Sequence, residues 1–185
     1  MNGPFVPGGR VSVGGVEYTV RQLLGHGKGG YSYLAEGADG PAVLKQIHHE
    51  PCDYYTFGDK LAAELFDYDR LLAAGIPIPK LLTVDRDAER LVKEYIDGPS
   101  VFELVRDGAD VSPYVEQVRD MAARAKAAGL NIDYFPTNFV VQNGRLWYID
   151  YECNEYMDRW SFDIWGVTYW SRTPEFEAYL KGRQV

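Results

Sequence analysis

Two β-favouring runs, Phe139-Val140-Val141 and Leu146-Trp147-Tyr148-Ile149, flank Asn143-Gly144. An Asn-Gly pair supplies the positive φ that a two-residue turn requires, so the pattern predicts a tight hairpin. With those residues at the turn, counting outward sets Gln142 opposite Arg145, Val141 opposite Leu146, Val140 opposite Trp147, Phe139 opposite Tyr148 and Asn138 opposite Ile149. Nearer the N-terminus, Tyr31 to Leu34 passes through Gly37-Ala38-Asp39-Gly40 into Pro41-Ala42-Val43-Leu44-Lys45, again strand, turn and strand. A further strand is predicted from Arg90 through Glu94, leaving by Ile96 and Gly98. Between these, Lys60 to Ala74 has helical periodicity, with Leu61, Leu65, Tyr68, Leu71 and Leu72 on one face. Gly75 ends it, and Ile76-Pro77-Ile78-Pro79 has to be extended because a residue before proline avoids the α region. Helices are also predicted over Ser100 to Arg106 and Ser112 to Ala128, the latter with Ser112-Pro113 as N-cap and first-turn pair and Gly129 as its stop.

The open end of the second hairpin gathers oxygen-bearing side chains. Asn138 and Asp150 leave it as neighbours, about 5–8 Å apart by the spacing of direct and diagonal cross-strand pairs. Such a pair suits Mg²⁺, which completes its shell with waters and substrate phosphates. Asp133, on the loop leading in, is placed to orient a nucleophile and accept its proton. Gly25, Gly27 and Gly30 spell G-x-G-x-x-G. A dinucleotide-binding fold would open a helix there, whereas Tyr31 to Leu34 is β-favouring, so these glycines belong to a hairpin that would lie over phosphates as a flap. Lys45 ends the following apolar strand, and burying its ammonium costs several kcal/mol without an anion beside it. Glu64, next to the Leu61–Tyr68 stripe, is the predicted partner. Glu50 precedes Pro51 and falls in a loop.

These residues together resemble the protein-kinase-like superfamily: a glycine-rich hairpin, a strand lysine, a helix glutamate, an Asp followed after four residues by Asn, and a later Asp at a strand end. The nearest likenesses are its minimal atypical members, such as RIO kinases, the small kinase subunit of the tRNA threonylcarbamoyl complex, small bacterial kinase-like proteins and choline- and aminoglycoside-type phosphotransferases. The resemblance implies an α+β bilobal fold with a β-rich N-lobe over residues 1–97 and a small, mainly helical C-lobe over 98–185 with reduced C-terminal helices. It implies ATP and Mg²⁺ as cofactors. Gly25, Gly27, Gly30, Lys45 and Glu64 would hold the nucleotide, the Glu94 carbonyl and Ile96 N–H its adenine edge, Asn138 and Asp150 the metal, and Asp133 would be the catalytic base. Arg159 to Trp165 resembles the segment after the metal site in small-molecule kinases, where Asp163 would open an apolar helix and hold the catalytic loop backbone. Asn131 stands where the family has His, Phe135 where it has Lys or His, and Glu152 where it has the Gly of Asp-Phe-Gly. The short Cys153–Asp163 stretch and the brief tail after Trp170 imply a reduced acceptor site that a protein partner would complete. The expected activity is ATP-dependent phosphoryl transfer to an undetermined acceptor; the alternative is a pseudokinase-like nucleotide-binding interaction module.

Composition narrows the partners. A net charge of −8 and a pI near 4.9, with no Lys/Arg cluster, make nucleic acid an unlikely partner by bulk attraction. No apolar run approaches the roughly 18 residues of a membrane span, Met1 to Arg10 has no signal core, and Cys52 and Cys153 form no C-x-x-C, which together predict a reduced cytoplasmic setting. His26 and His48-His49 lack metal-ligand spacing and read as solvated loop histidines. The aromatic run from Trp147 to Trp170 reads as core, not as a base-stacking platform.

Overall fold

A computed structural model describes residues 3–51 and 58–182, so Cys52 lies outside the described residues. The packing divides the chain into two units, Met1–Leu65 with Pro79–Tyr95, and Phe66–Ile78 with Ile96–Val185.

The first unit is an antiparallel sheet. Its strands are β1 (Arg10–Val13), β2 (Val16–His26), β3 (Gly30–Gly37), β4 (Gly40–Ile47), β5 (Leu81–Asp85) and β6 (Arg90–Glu94), in the order β1-β2-β3-β4-β6-β5. Alternation in β3 sorts the two faces. Tyr31, Tyr33 and Ala35 join Val11, Val13, Tyr18, Val20, Ala42, Leu44 and Val92 in one apolar cluster. Opposite parity places Ile47 and Leu91 on the other face, against Leu61 of helix α1 (Lys60–Ala73), with Leu65 and Val84 packed alongside. The β3–β4 hairpin turns at Gly37↔Gly40 as the pattern predicts. Two features differ from the sequence expectation. Lys45 does not end its strand, because Gln46 and Ile47 continue the ladder opposite Arg90 and Gly30. Strands β1 and β5 carry weak local signals and form because the sheet offers them partners.

The second unit contains α2 (Val101–Arg106), α3 (Ser112–Ala127), β7 (Leu130–Ile132), β8 (Phe139–Gln142), β9 (Arg145–Tyr148), β10 (Cys153–Glu155) and α4 (Pro174–Gly182). The β8–β9 register matches the counted one, with Phe139 opposite Tyr148 and Gln142 opposite Arg145. Asn143 and Gly144 sit at φ 51° and 75°, the left-handed pair that the turn demands. Gln117 of α3 staples the hairpin from outside: its amide nitrogen donates to Gly144 O at 3.0 Å and its oxygen accepts Leu146 N–H at 2.8 Å. Ser100 caps α2 through a reciprocal bond set with Glu103. Helix α3 differs from expectation, since its N-cap is Val111 and Ser112 already lies inside the first turn, its N–H bonded to Asp110 Oδ1 at 2.9 Å. Tyr148, Tyr151, Phe162 and Trp170 are buried, so part of the aromatic run forms core, whereas Trp160 is exposed.

Gly98 has no room for a side chain. An added Cβ would lie 1.9 Å from the Val141 carbonyl oxygen. Gly98→Ala is therefore expected to cost about 1–3 kcal/mol in urea unfolding; a loss near zero would contradict this close approach.

Candidate functional site

In the first unit, Lys45 Nζ lies 2.7 Å from Glu64 Oε2, with side chains only 13% and 8% exposed. The pair follows from the ladder. Leu91 is opposite Lys45, so the ammonium shares the α1 face with Leu91 and Leu61, where the Glu64 carboxylate of the helix meets it. Glu64 Oε1 is buried and has no hydrogen-bond partner among the described residues. Of the three motif glycines, only Gly30 is required by packing, because a Cβ there would lie 2.4 Å from Gln46 O. At Gly25 and Gly27 a Cβ would meet nothing within 4 Å, while one on Gly29 would come 3.5 Å from Lys45 Nζ. The turn is closed by Gly27 N–H donating to Gly30 O at 3.0 Å.

Sequence reasoning missed Lys60. It is buried, and its Nζ donates to Lys28 O at 2.9 Å and His48 O at 2.7 Å, which pins the glycine turn. The available signal was a cation at the start of a helix, where the macrodipole disfavours it unless something else holds it. Glu94 ends β6 with its N–H donating to Lys80 O at 2.8 Å and its carboxylate accepting Lys80 N–H at 3.2 Å. Lys93 beside it is buried within the sheet.

In the second unit, Ile149 N–H donates to Asn138 O at 2.9 Å, so the hairpin delivers Asn138 and Asp150 at one end as counted. Asn138 Nδ2 donates to Asp133 O at 3.4 Å, which ties the loop to the hairpin and presents the amide Oδ1 as the remaining atom. Asp133 Oδ1 accepts Phe135 N–H at 3.0 Å, an Asx turn that orients its carboxylate at the surface. Asp150 Oδ1 accepts Tyr151 N–H at 2.8 Å. Ile96, the other adenine-edge residue expected from sequence, is buried in this unit.

Tyr148 is a second residue that the sequence did not flag. Its hydroxyl donates to Glu152 O at 2.8 Å and accepts Asp133 N–H at 3.4 Å, so one buried phenol spans both loops. Burial, followed by the charges of Asp150, Asp133 and Glu152, raises its pKa well above the usual phenol value, so it stays a neutral donor. Asn131, standing where the resemblance calls for His, is buried and braces the next segment: its Oδ1 accepts Met157 N–H at 2.5 Å and its Nδ2 donates to Trp160 O at 3.3 Å. Cys153 is held by α1, its N–H on Asp67 Oδ2 at 3.1 Å and its carbonyl on Arg70 at 2.9 Å. Phe135 joins an aromatic cluster with Tyr169 and Tyr179 at 5.1 and 4.8 Å between ring centres.

The expectation for Asp163 is corrected. Its side chain is 69% exposed and pairs with Arg119 at 3.0 Å. No helix opens there, because residues 161–165 form turns and Gly166–Tyr169 a 3₁₀ segment. Trp170 holds the loop backbone instead, its indole N–H donating to Tyr134 O at 2.8 Å. Gly166 fits closely on Tyr134, where an added Cβ would come within 2.5 Å.

No family model matches the chain. Serine/threonine-protein kinase PkaB of Streptomyces coelicolor is 32% identical over 114 residues, which make up 62% of this chain and 25% of that protein. The chain thus spans about a quarter of that relative's length. The crystal structure of the BubR1 kinase domain matches with a TM-score of 0.58 at 18% identity, covering 83% of this chain and 53% of that one. A mixed α+β, protein-kinase-like fold is therefore common to both chains.

The Lys45–Glu64 pair generates a stability test. Glu64→Ala leaves a buried ammonium without its carboxylate and is expected to cost about 3 kcal/mol, whereas Lys45→Met with Glu64→Leu should recover most of that loss. Urea unfolding of the three proteins decides it, and equal stability of Glu64→Ala and wild type would contradict a buried pair.

Proposed function

We propose that this chain is an atypical kinase that binds Mg-ATP and transfers its γ-phosphoryl group. The observation that carries this reading is the buried ion pair between Glu64 of α1 and Lys45 of β4, the strand paired with the one that follows the glycine turn. A buried ion pair contributes little net stability compared with apolar residues of similar size, so its presence points to a use for the ammonium. In this reading Lys45 binds the ATP phosphates, held in position by Glu64. Gly25 and Gly27, which have open space where side chains would be, let backbone N–H groups approach those phosphates. The Glu94 carbonyl and Ile96 N–H would take the adenine edge.

Asn138 and Asp150 supply an amide and a carboxylate oxygen, hard donors that fit Mg²⁺. Mg²⁺ bound there would neutralise charge on the β- and γ-phosphates. Asp133 would orient the acceptor hydroxyl or water and take its proton, its carboxylate set by the Phe135 N–H. Tyr148 and Trp170 act on the same loop from behind, one through Asp133 N–H and the other through Tyr134 O. Phosphoryl transfer depends mainly on positioning and electrostatics, so these buried anchors bear on rate. The acceptor would be bounded in part by a protein partner bordering Asp133 and the 151–159 segment.

A second reading, a pseudokinase whose bound nucleotide shapes an interaction surface, is favoured by the short Cys153–Asp163 stretch, which leaves little wall for an acceptor. Phosphate release and self-labelling with Mg-ATP separate the two. Catalysis predicts measurable turnover, which Asp133→Ala lowers by about 10²–10⁴-fold with little change in ATP affinity. Asp150→Asn should abolish the Mg-dependent part. Turnover unchanged by both substitutions would overturn the residue assignment, and no turnover with intact Mg-ATP binding would select the pseudokinase.

A further inference from the structure

We propose that His26, His48 and Glu50 form a binding site for one zinc-class divalent cation, which fixes the start of the glycine turn from the side of the sheet opposite Lys45. The sequence reading of these histidines as unconnected loop residues is thereby revised. Spacing along the chain hides the group, because its members come from the end of β2 and from the segment after β4, strands that both flank β3. His26 is opposite Tyr31, Tyr31 is opposite Gln46, and His48 follows Gln46 by two residues, which puts all of them on one face. Lys45, of opposite parity, is on the other face.

The geometry fits a tetrahedral ion. His26 Nε2 lies 3.2 Å from His48 Nε2 and 3.1 Å from Glu50 Oε2, and one ligand atom from each residue falls within 4.8 Å of the others. Bonds of 2.0–2.1 Å at tetrahedral angles put ligand atoms about 3.3–3.4 Å apart, so two of the edges are already close to that length. Two imidazoles and a carboxylate select Zn²⁺ and its neighbours over Mg²⁺, which prefers all-oxygen shells. Water would fill the fourth position.

The metal-free hydrogen bonding is crowded in a way that an ion relieves. His48 Nε2 is 2.8 Å from Gly27 O and His26 Nε2 is 3.1 Å from Glu50 Oε2, and each contact requires the nitrogen to carry a proton. Those two N–H groups then face each other across 3.2 Å. A cation at both Nε2 atoms displaces those protons: the His26 proton goes to its own Nδ1 or to solvent, and the single His48 proton moves to Nδ1, which gives up the 3.2 Å contact from Glu50 N–H and the bond to Gly27 O. Supporting groups are already in place. Tyr31 donates to Glu50 Oε1 at 2.5 Å, fixing the carboxylate, and stacks on His26 at 4.2 Å with 7° between the rings, fixing the imidazole. The Tyr31 hydrogen bond, aided by His48 and His26, also holds the Glu50 pKa below its usual value, so the ligand is ionised at neutral pH. With His26 coordinated, the residue before Gly27 is anchored, and the turn loses freedom at its first position.

This inference rests on side-chain geometry within the first unit and stands apart from the nucleotide reading. Titrating the intact chain with Zn²⁺ against a chelator of known affinity is expected to show one equivalent bound. His26→Gln and Glu50→Gln should each weaken binding about tenfold or more, while His49→Gln, whose imidazole instead meets Glu89 at 2.7 Å, should leave it unchanged. Co²⁺ in wild-type protein should give the intense visible absorption of a tetrahedral ion, and Zn²⁺ should slow amide exchange at Gly27 to Gly30. Wild-type binding no tighter than that of the folded His26→Gln/His48→Gln double variant, or a weak octahedral Co²⁺ spectrum, would overturn the proposal.

Discussion

An ammonium and a carboxylate in contact at 2.7 Å, both nearly excluded from water, cost several kcal/mol each to desolvate and are retained only when the surrounding structure fixes them together. That requirement governs the first unit. Lys45 has to fall on the α1 face of β4, which the ladder to β3 and β6 enforces through Ser32 and Leu91 on either side. Glu64 has to sit one turn from Leu61 so that the apolar contact and the ion pair form on the same helix face. Lys60, a second buried cation, ends on two carbonyls and thereby links the start of that helix to the glycine turn. The sheet therefore holds Lys45 and the turn in a fixed relation, the preorganisation that the proposed phosphoryl transfer would require.

In the second unit the corresponding constraint is the Asn143-Gly144 turn. Its positive φ values set the β8–β9 register, the register sends Asn138 and Asp150 to one end, and Tyr148, fixed in the same ladder, turns its hydroxyl onto the loops around Asp133 and Glu152. A slip of one residue would reverse every side chain and break all three relations.

What could be read from the sequence was local. The Asn-Gly hairpin and its register, the β3–β4 hairpin, the helix carrying Glu64 and the pairing of Lys45 with a carboxylate follow from turn chemistry, periodicity and the cost of a buried charge. What escaped was set by distance along the chain. Strands β7 and β10 are three residues each and exist because they pair with each other. Asp163 looked like a helix opener by resemblance, yet the segment forms a bend and turns, and the anchoring bond comes from the Trp170 indole to Tyr134 O. Lys60, Tyr148 and the His26, His48 and Glu50 group likewise depend on contacts that reach 15 to 32 residues along the chain.

In the proposed function, Lys45 and its carboxylate partner are kept for a nucleotide. Calorimetric titration of the chain with ATP, with and without Mg²⁺, tests this most directly. One equivalent is expected to bind in the presence of Mg²⁺, weakened about tenfold or more in a folded Lys45→Met protein. ATP binding that is absent, or equally tight in Lys45→Met, would contradict it.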